Sequence, residues 1–268
     1  MSASLVGSEM CIRDRSCSTH SKVYLVRHRI LDVYRVAKIF SGNQQDARRL
    51  MKEAHLIKNL KHPHIPVIYD IEQNIGEDND SICIIEEYID GKSLRQYVHD
   101  ETDTRGYLSV HEICRIGIEL CCILEYLHGY NGNGILHMDI KPDNIMLDKD
   151  GKVKLIDYDN AVEGNAGLTV ESGSPLYAAP EQYNREKAVI QSDIYSLGMV
   201  ILFMVSHGHI VTDENHKLSE ISSRYSSLYH VINKSLHHEW GLRYSSVTYL
   251  KQELQSICLL YTSPSPRD

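Results

Sequence analysis

The amino-acid sequence predicts an α+β fold of two lobes, in which a small antiparallel β lobe with one helix precedes a larger, mainly helical lobe. Three observations predict it. Segments rich in β-branched and aromatic residues fill the first third of the chain, and apolar residues at helical spacing dominate after Asp90-Gly91. The composition, 42% hydrophobic and 24% charged over 268 residues, is that of an ordinary globular protein.

The small lobe contains four strand segments and one helical segment. Val23–His28 and Tyr34–Phe40 are β-rich and flank a short polar turn, which predicts a hairpin. Apolar residues recur at helical spacing over Gln44–Leu60, and the helix is expected to stop before the proline that follows. Two further strands are expected at Pro66–Glu72 and Ile82–Tyr88, which completes a lobe that is mostly sheet.

The larger lobe begins with two helices. They are expected at Ser93–His99 and at Val110–His128, the second with an apolar face. The longest apolar run, Leu197–Val205, is far shorter than the roughly 20 residues of a membrane span, so it predicts a buried helix. Between these helices, Ile135–Asp159 combines a loop of His, Asp, Lys and Asn with a strand hairpin that turns at Asp150-Gly151.

Charge and cysteine content limit which partners and which kinds of site are expected. The net charge of −8, from 28 basic and 36 acidic residues, provides no overall positive field for nucleic acid or an anionic membrane, so no nucleic-acid partner is expected. The seven cysteines show no Cys-x-x-Cys pair, which argues against a zinc cage or a disulfide framework and favours a cytoplasmic location. The oligomeric state remains open at this point.

The two ends carry a signature of foreign DNA. Leu5–Asp14 can be back-translated so that the reverse complement of its DNA, in a shifted frame, encodes Cys258–Arg267. The string resembles a sequencing-library adaptor, and both ends are therefore set aside as artefacts. The expected organisation is an adaptor-like segment at 1–15, a small lobe at 16–92, a large lobe at 93–257 and an adaptor-like segment at 258–268. A membrane anchor in missing flanks stays open.

The chemistry lies in the polar loop and the residues after its hairpin. Asp139, Asn144 and Asp157 supply hard oxygen ligands, which suit Mg²⁺ better than zinc. Lys141 adds a cation beside them. Phosphoryl transfer depends on positioning and on neutralising phosphate charge, so this set of side chains favours that reaction class.

With these motifs in place, the sequence resembles the protein-kinase family over nearly all of Lys22–Leu254. The matching motifs occur in family order. They are Val36-Ala37-Lys38, Glu53 on the next helix, His137-Met138-Asp139 with Lys141 and Asn144, Asp157-Tyr158-Asp159, Ala179-Pro180-Glu181, and Ser192-Asp193-Ile194-Tyr195-Ser196-Leu197-Gly198.

The resemblance implies a protein-kinase-like fold that uses ATP and Mg²⁺. In the polar loop, Asp139 would orient the substrate hydroxyl and take its proton, and Lys141 would steady the γ-phosphate. Asn144 and Asp157 would bind Mg²⁺. The remaining implied roles fall to the other matching residues. Lys38 would hold the α- and β-phosphates of ATP, and Glu53 would form an ion pair with Lys38. Adenine would lie against Val23, Ala37, the segment Glu87–Ile89 and Met146. Arg243 would form an ion pair with Glu181, and Asp193 would hold the backbone of the polar loop.

The implied activity is phosphorylation of Ser or Thr on a protein substrate. Lys141, two residues after Asp139, and the segment Gly173–Tyr177 mark Ser/Thr kinases in the family. The motif style resembles bacterial Ser/Thr kinases. Two alternatives stay open: a pseudokinase that acts as a nucleotide-binding regulatory module, and a kinase for a small hydroxylated metabolite.

Four departures from the family pattern bear on activity. Serines (Ser16, Ser18 and Ser21) stand where the phosphate loop has glycines, and Asp159 replaces a glycine. Met138 replaces an arginine that would pair with a phosphate, so we expect weak dependence on phosphorylation of Thr169 or Ser172. Glu86 gates the pocket behind adenine, and a carboxylate there needs a partner, for which Lys38 is the candidate.

Overall fold

The computed structural model divides the chain into two compact units, Met1–Asp90 and Gly91–Asp268. The boundary lies two residues before the expected one at 92/93. The residues that the structure describes are 8–9, 14–17, 22–41, 51, 54–73, 81–164, 173–184, 186–209 and 223–262.

The first unit is built on an antiparallel sheet. Its strands are β1 (Ser8–Glu9), β2 (Asp14–Cys17), β3 (Lys22–His28), β4 (Val33–Ser41), β5 (Ile68–Gln73) and β6 (Ser81–Glu87). Their order is β1-β3-β4-β6-β5, and β2 also pairs with β3. The four predicted strands are therefore confirmed to within about two residues at each end. Of the predicted helix over Gln44–Leu60, the described residues 51 and 54–57 are helical, and its remaining residues up to 53 lie outside the described part.

The turn of the first hairpin differs from the prediction. Residues 29–32 connect β3 to β4, and the turn is not polar throughout, because Ile30 and Leu31 stand at its tip, 84% and 62% exposed. Asp32 closes the turn in a left-handed conformation with φ 53°, and its N–H donates to the carbonyl of His28 at 2.9 Å. Asp tolerates this region of backbone space better than most residues, which explains its position.

Apolar residues cover both faces of this sheet. One cluster joins Val26 and Ala37 of the hairpin to Cys83 and Ile85 of β6. The other face packs Phe40, Ile82 and Ile84 on the helical residue Ala54. Alternate residues of β4 and β6 thus serve opposite clusters, as the two-residue period of a strand requires.

The second unit is mainly helical. Its helices are α1 (Leu94–Arg105), α2 (Val110–His128), α3 (Pro180–Tyr183), α4 (Ile190–Val205), α5 (Ser226–Ser235) and α6 (Val247–Thr262). Short strands accompany them: β7 (Gly91–Ser93), β8 (Ile135–Leu136), β9 (Ile145–Asp148), β10 (Val153–Leu155) and β11 (Val162–Glu163). Four 3₁₀ turns complete the described part of this unit, at Tyr130–Gly132, Pro142–Asn144, Ser223–Tyr225 and Trp240–Leu242.

Local sequence explains where the first helices begin. Ser93 and Ser109 cap α1 and α2, and each serine exchanges hydrogen bonds with the residue three positions on, Gln96 or Glu112. The α4 helix is buried around nearly its whole circumference from Ser192 to Val205, as its apolar sequence predicts. None of the helices in the described ranges combines the length and apolarity needed to cross a membrane.

The apolar side chains of the last helix become exposed near its end. Leu254 and Ile257 of α6 are buried, whereas the next apolar residues Leu259, Leu260 and Tyr261 are half or more exposed. An amphipathic helix normally ends its apolar stripe where its packing ends. That residues 258–268 and 1–15 are foreign stays a prediction.

Candidate active site

The polar loop of the second unit runs from β8 to β9 and contains the 3₁₀ turn Pro142–Asn144. The strand β9 pairs with β10 in antiparallel register, Met146 opposite Lys154, so the predicted hairpin is present. The N–H of Ile156, directly after β10, donates to the carbonyl of Asn144 at 2.8 Å. This bond ties the segment that leads into Asp157 to the loop that carries Asn144.

The carboxylate of Asp193, on α4, binds the backbone at the start of the loop. Its two carboxylate oxygens accept the N–H groups of His137 and Met138 at 3.0 and 2.9 Å, as expected of a bracing aspartate. His128 lies 2.9 Å from the same carboxylate through Nε2. Burial raises the pKa of Asp193, but the contacts with His128 and with the His137 backbone outweigh it and hold the pKa below its usual range. The carboxylate is therefore ionised at neutral pH.

The backbone of Met138 is left-handed, with φ 64°. Such a conformation costs about 1–3 kcal/mol in a residue other than glycine and persists only where the surroundings enforce it. Here both polar backbone atoms of Met138 are bound, the N–H by Asp193 and the carbonyl by the Nε2 of Gln182 at 3.0 Å. The side chain is buried with Leu136, Val162 and Ala188.

Asp139 is the centre of a charged network. Lys141 donates through Nζ to Asp139 Oδ2 at 2.7 Å and to Ser174 Oγ at 2.6 Å. The N–H of Ser174 donates to the other carboxylate oxygen of Asp139 at 3.0 Å. Asn144 donates through Nδ2 to the Asp139 carbonyl at 2.9 Å and to Oδ2 at 3.1 Å. Three of the predicted site residues, Asp139, Lys141 and Asn144, are thus brought together.

This network sets the charge of Asp139. Burial raises the pKa of its carboxyl, but the hydrogen bond and the positive charge of Lys141, together with Ser174, hold the pKa below its usual range. An ionised carboxylate therefore lies beside a partly buried ammonium. It can accept a hydrogen bond from an alcohol, and the ammonium can face an anion.

Gly173 allows Ser174 to reach this network. A Cβ on Gly173 would lie 2.6 Å from the Cβ of Ala178 and 2.9 Å from Nε2 of Gln182, and φ is 136°. Only glycine fits so close to both neighbours in this backbone conformation. The contact between Ser174 and Asp139 therefore depends on the residue before it.

The Asp157 segment is anchored by its neighbour. Asp157 is half-buried, with a left-handed backbone at φ 66°. Tyr158 is buried against the ring of His137, with 4.8 Å between ring centroids, and its hydroxyl donates to the Leu155 carbonyl at 3.3 Å. Tyr158 therefore anchors this segment through its buried ring and its hydroxyl.

The first unit carries the other predicted binding residues. Lys38 and Ala37 are buried on β4, and Val23 lies opposite Lys38 on β3. Glu87 ends β6, half-buried, and Ile89 is buried just after it.

The pairing register of β4 and β6 shows how close Lys38, the candidate partner of Glu86, lies to it. Val36 lies opposite Glu86 and Lys38 opposite Ile84, so Lys38 and Glu86 are diagonal neighbours on one face. This arrangement supports Lys38 as the partner of Glu86. Met146, the last predicted adenine contact, lies half-buried on β9 of the second unit.

Several predictions fall outside the described residues. Glu53, and with it the expected ion pair to Lys38, lies there, as do Thr169 and Ser172. Of the serines expected in the phosphate loop, Ser18 and Ser21 also lie there, while the backbone of Ser16 belongs to β2.

The expected pair of Glu181 and Arg243 is present and buried. Arg243 binds both carboxylate oxygens, at 2.7 and 2.8 Å, and Ser192 donates to the same carboxylate at 2.7 Å. Burial raises the pKa of Glu181, but Arg243 and Ser192 hold the pKa below its usual range. The pair joins α3 to the segment before α6.

Sequence reasoning missed four residues that support the loop. His128 holds Asp193, Gln182 holds Met138, Ser174 bridges Asp139 and Lys141, and Arg95 binds both oxygens of Asp143 at 2.7 Å. Three of these contacts join positions more than 40 residues apart. For Ser174 a signal existed, because Gly173 directly precedes it in a segment already singled out.

Comparison with known proteins agrees with this geometry. The protein kinase domain family model matches residues 19–263. The serine/threonine-protein kinase PrkC of Bacillus subtilis is 32% identical over 207 residues, which cover 74% of this chain and 30% of PrkC. A probable serine/threonine-protein kinase of Clostridium perfringens is 32% identical over 194 residues, covering 69% of this chain and 27% of that protein.

A solved structure shows the same fold. The PknI kinase domain of Mycobacterium tuberculosis superposes with a TM-score of 0.73 at 22% identity, covering 96% of this chain and 99% of that one. The chain spans about a third or less of the length of the two relatives above. Since the family model extends over most of the sequence and the motif residues assemble as described, this chain belongs to the protein kinase domain family.

Proposed function

We propose that the chain is the catalytic domain of an ATP-dependent Ser/Thr protein kinase, which transfers the γ-phosphate of ATP to a protein hydroxyl. The observation that carries the proposal is the Asp139 network, in which one ionised carboxylate is held by Lys141, Ser174 and Asn144. A chain that had lost catalysis would have no need to keep a carboxylate and an ammonium together at low exposure, since burying charges is costly.

In the proposed reaction, Asp139 orients the substrate hydroxyl and accepts its proton as the oxygen bonds to phosphorus and the bond to the β-phosphate oxygen breaks. Lys141 neutralises charge that develops on the transferred group. Its ammonium is already positioned by Asp139 and Ser174, so little reorganisation accompanies the reaction.

The donor set fits Mg²⁺. The Asn144 side chain donates to Asp139 through Nδ2, so Oδ1 is the atom that would bind a hard cation, and Asp157 adds a carboxylate. When bound, Mg²⁺ would neutralise phosphate charge. We assign the nucleotide contacts of the first unit to Lys38, paired with Glu53, and to Val23, Ala37, Glu87 and Ile89, with Met146 from the second unit. The proposed compartment is the cytoplasm, where ATP is present and thiols stay reduced.

The test is transfer of labelled phosphate to a generic protein substrate, followed by identification of the labelled amino acid. We expect label on Ser or Thr, and a loss of roughly a hundredfold or more in Asp139→Asn. The matched control is Asp150→Asn, an exposed turn residue. Label on tyrosine, or transfer to small alcohols but not to protein, would contradict the proposal.

A further inference from the structure

An arginine and an aspartate form a bidentate ion pair at the edge of the proposed catalytic loop. Arg95, in the first turn of α1, donates through Nε and Nη2 to the two carboxylate oxygens of Asp143, each at 2.7 Å. Asp143 lies directly before Asn144 and two residues after Lys141. The proposed reaction uses both of these neighbours but gives Asp143 itself no role.

The pair lies near the place where a protein substrate must bind. Asp143 is four residues from Asp139 in the sequence, so their Cα atoms are at most about 14 Å apart. Tyr177, three residues after Ser174, is buried beside the pair. Burial raises the pKa of its hydroxyl to about 12, while the charge of Arg95 opposes this rise and that of Asp143 adds to it. The loop that carries Asp139 and the segment whose Ser174 binds it therefore meet at the pair.

Both members of the pair can be reached from solvent. The side chain of Asp143 is 46% exposed and that of Arg95 is 37% exposed. A peptide advances about 3.3–3.6 Å per residue, so a substrate side chain within about five residues of the acceptor hydroxyl could extend to this place. An unpaired carboxylate here would attract a lysine or arginine of the substrate.

Arg95 already fills the position that such a substrate residue would take. It binds Asp143 with the planar fork that a substrate arginine would use, and it occupies both oxygens. A substrate arginine would have to displace a guanidinium held in the same molecule, at an effective concentration that a free peptide does not match. The other acid of the loop, Asp139, likewise has a counter-charge within the chain, from Lys141.

We propose that Arg95 is a specificity-determining residue, which holds the Asp143 carboxylate and thereby keeps the domain from selecting a basic side chain near the acceptor Ser or Thr. The inference rests on the proposed kinase function. It names the substrate class as proteins whose acceptor needs no lysine or arginine close by in the sequence.

The test compares kcat/KM for peptides that share one acceptor serine and differ at a single position, which carries Arg, Gln or Glu. That position is moved in turn over about five residues on each side of the serine. The ratio of kcat/KM for Arg over Gln is insensitive to any loss of rate common to both peptides, so a merely structural role of Arg95 would not change it.

The parent chain should give an Arg/Gln ratio close to unity at every position. Arg95→Ala should raise the ratio roughly fivefold or more where the peptide reaches the freed carboxylate of Asp143. Adding Asp143→Ala should return the ratio to the parent value. The matched control is Arg105→Ala, which removes an exposed arginine from the other end of α1 and should leave every ratio unchanged.

Several outcomes would overturn the inference while transfer itself persists. They are a parent preference for Arg peptides, ratios that Arg95→Ala leaves unchanged, and a raised ratio that remains after Asp143→Ala. A parent preference for Glu peptides that Arg95→Ala removes would also overturn it, because Arg95 would then bind the substrate directly. Transfer to none of the peptides would instead overturn the proposed kinase function, and this inference with it.

Discussion

Ser174 connects the two charged side chains of the proposed catalytic loop. Its N–H binds Asp139 and its hydroxyl accepts from Lys141, although it lies more than 30 residues further along the chain. It is a positioning residue in our account, because it acts through both side chains and need not touch the substrate.

Ser174→Ala should therefore lower kcat by roughly tenfold to a hundredfold and leave the KM for ATP nearly unchanged, because the Lys141 ammonium loses the Ser174 hydroxyl as an acceptor. Steady-state kinetics with varied ATP would measure both parameters. Ser174→Thr keeps the hydroxyl and should restore most of the rate. An alanine variant with unchanged kcat would contradict the role.

The buried pair of Glu181 and Arg243 supports the fold. Glu181→Gln leaves the guanidinium of Arg243 without a counter-charge, which should cost about 3 kcal/mol in the free energy of unfolding. Urea denaturation at neutral pH would measure it. The control, Glu239→Gln at an exposed neighbouring position, should change this free energy by less than about 0.5 kcal/mol.

The pH dependence of this pair follows from the lowered pKa of Glu181. A carboxyl whose pKa is lower in the folded than in the unfolded state adds stability above the unfolded pKa and loses it as the pH falls through the folded pKa. The difference in unfolding free energy between the parent chain and Glu181→Gln should be constant from pH 7 to about pH 5 and narrow below about pH 4. A difference that grows on acidification would refute this assignment.

Among individual residues, the sequence predicts the site residues that lie close together in the chain. Asp139, Lys141 and Asn144 lie within six positions and meet in the structure. His128, Gln182 and Arg95 could not be found in this way, because each acts on a residue far along the chain and belongs to a type that is usually solvated. Arg243 was found only because the family resemblance supplied its partner.

The periodicity of the sequence predicts the strands and helices, and it locates their interiors better than their ends. The α1 helix continues to Arg105, six residues beyond the prediction, because Gly106 provides the left-handed residue that ends it. The polar content of the first turn was overestimated, since strand patterns say little about what a turn exposes.

The α6 helix yields a prediction about the end of the chain. Removing residues 258–268 should change the free energy of unfolding by less than about 0.5 kcal/mol, because the side chains of residues 259–261 pack on little of the domain. Leu254→Ala, at a fully buried position of the same helix, should cost about 2–5 kcal/mol. Thermal or urea unfolding compares them, and a truncated chain as unstable as the alanine variant would show that the segment is structural.

The apolar cluster around Met138 bears on whether phosphorylation regulates the domain. Met138 lies with Leu136, Val162 and Ala188, and no guanidinium is available at position 138 to bind a phosphate. Replacing Thr169 and Ser172 with alanine should therefore change kcat/KM by less than about tenfold. Phosphatase treatment of the parent chain should have an equally small effect, whereas a large rate gain on phosphorylation at either residue would disprove this expectation.

For the whole molecule, the sequence predicted both the division into two lobes and the family. The division was readable because β-rich and helical patterns occupy separate stretches of the chain. The pseudokinase alternative rested on isolated substitutions such as Asp159 and Glu86, and the relatives that are kinases together with the Asp139 network favour catalysis.

The most direct test of this account is Mg²⁺-dependent transfer of labelled γ-phosphate to a Ser/Thr protein by the chain and by its Asp157→Asn variant, with ATP binding measured on both. We predict transfer by the parent chain, a loss of roughly a hundredfold or more in the variant, and no transfer without Mg²⁺. ATP binding without transfer by either chain, or equal transfer by both, would contradict the claim that this domain is an active kinase with Asp157 at its metal site.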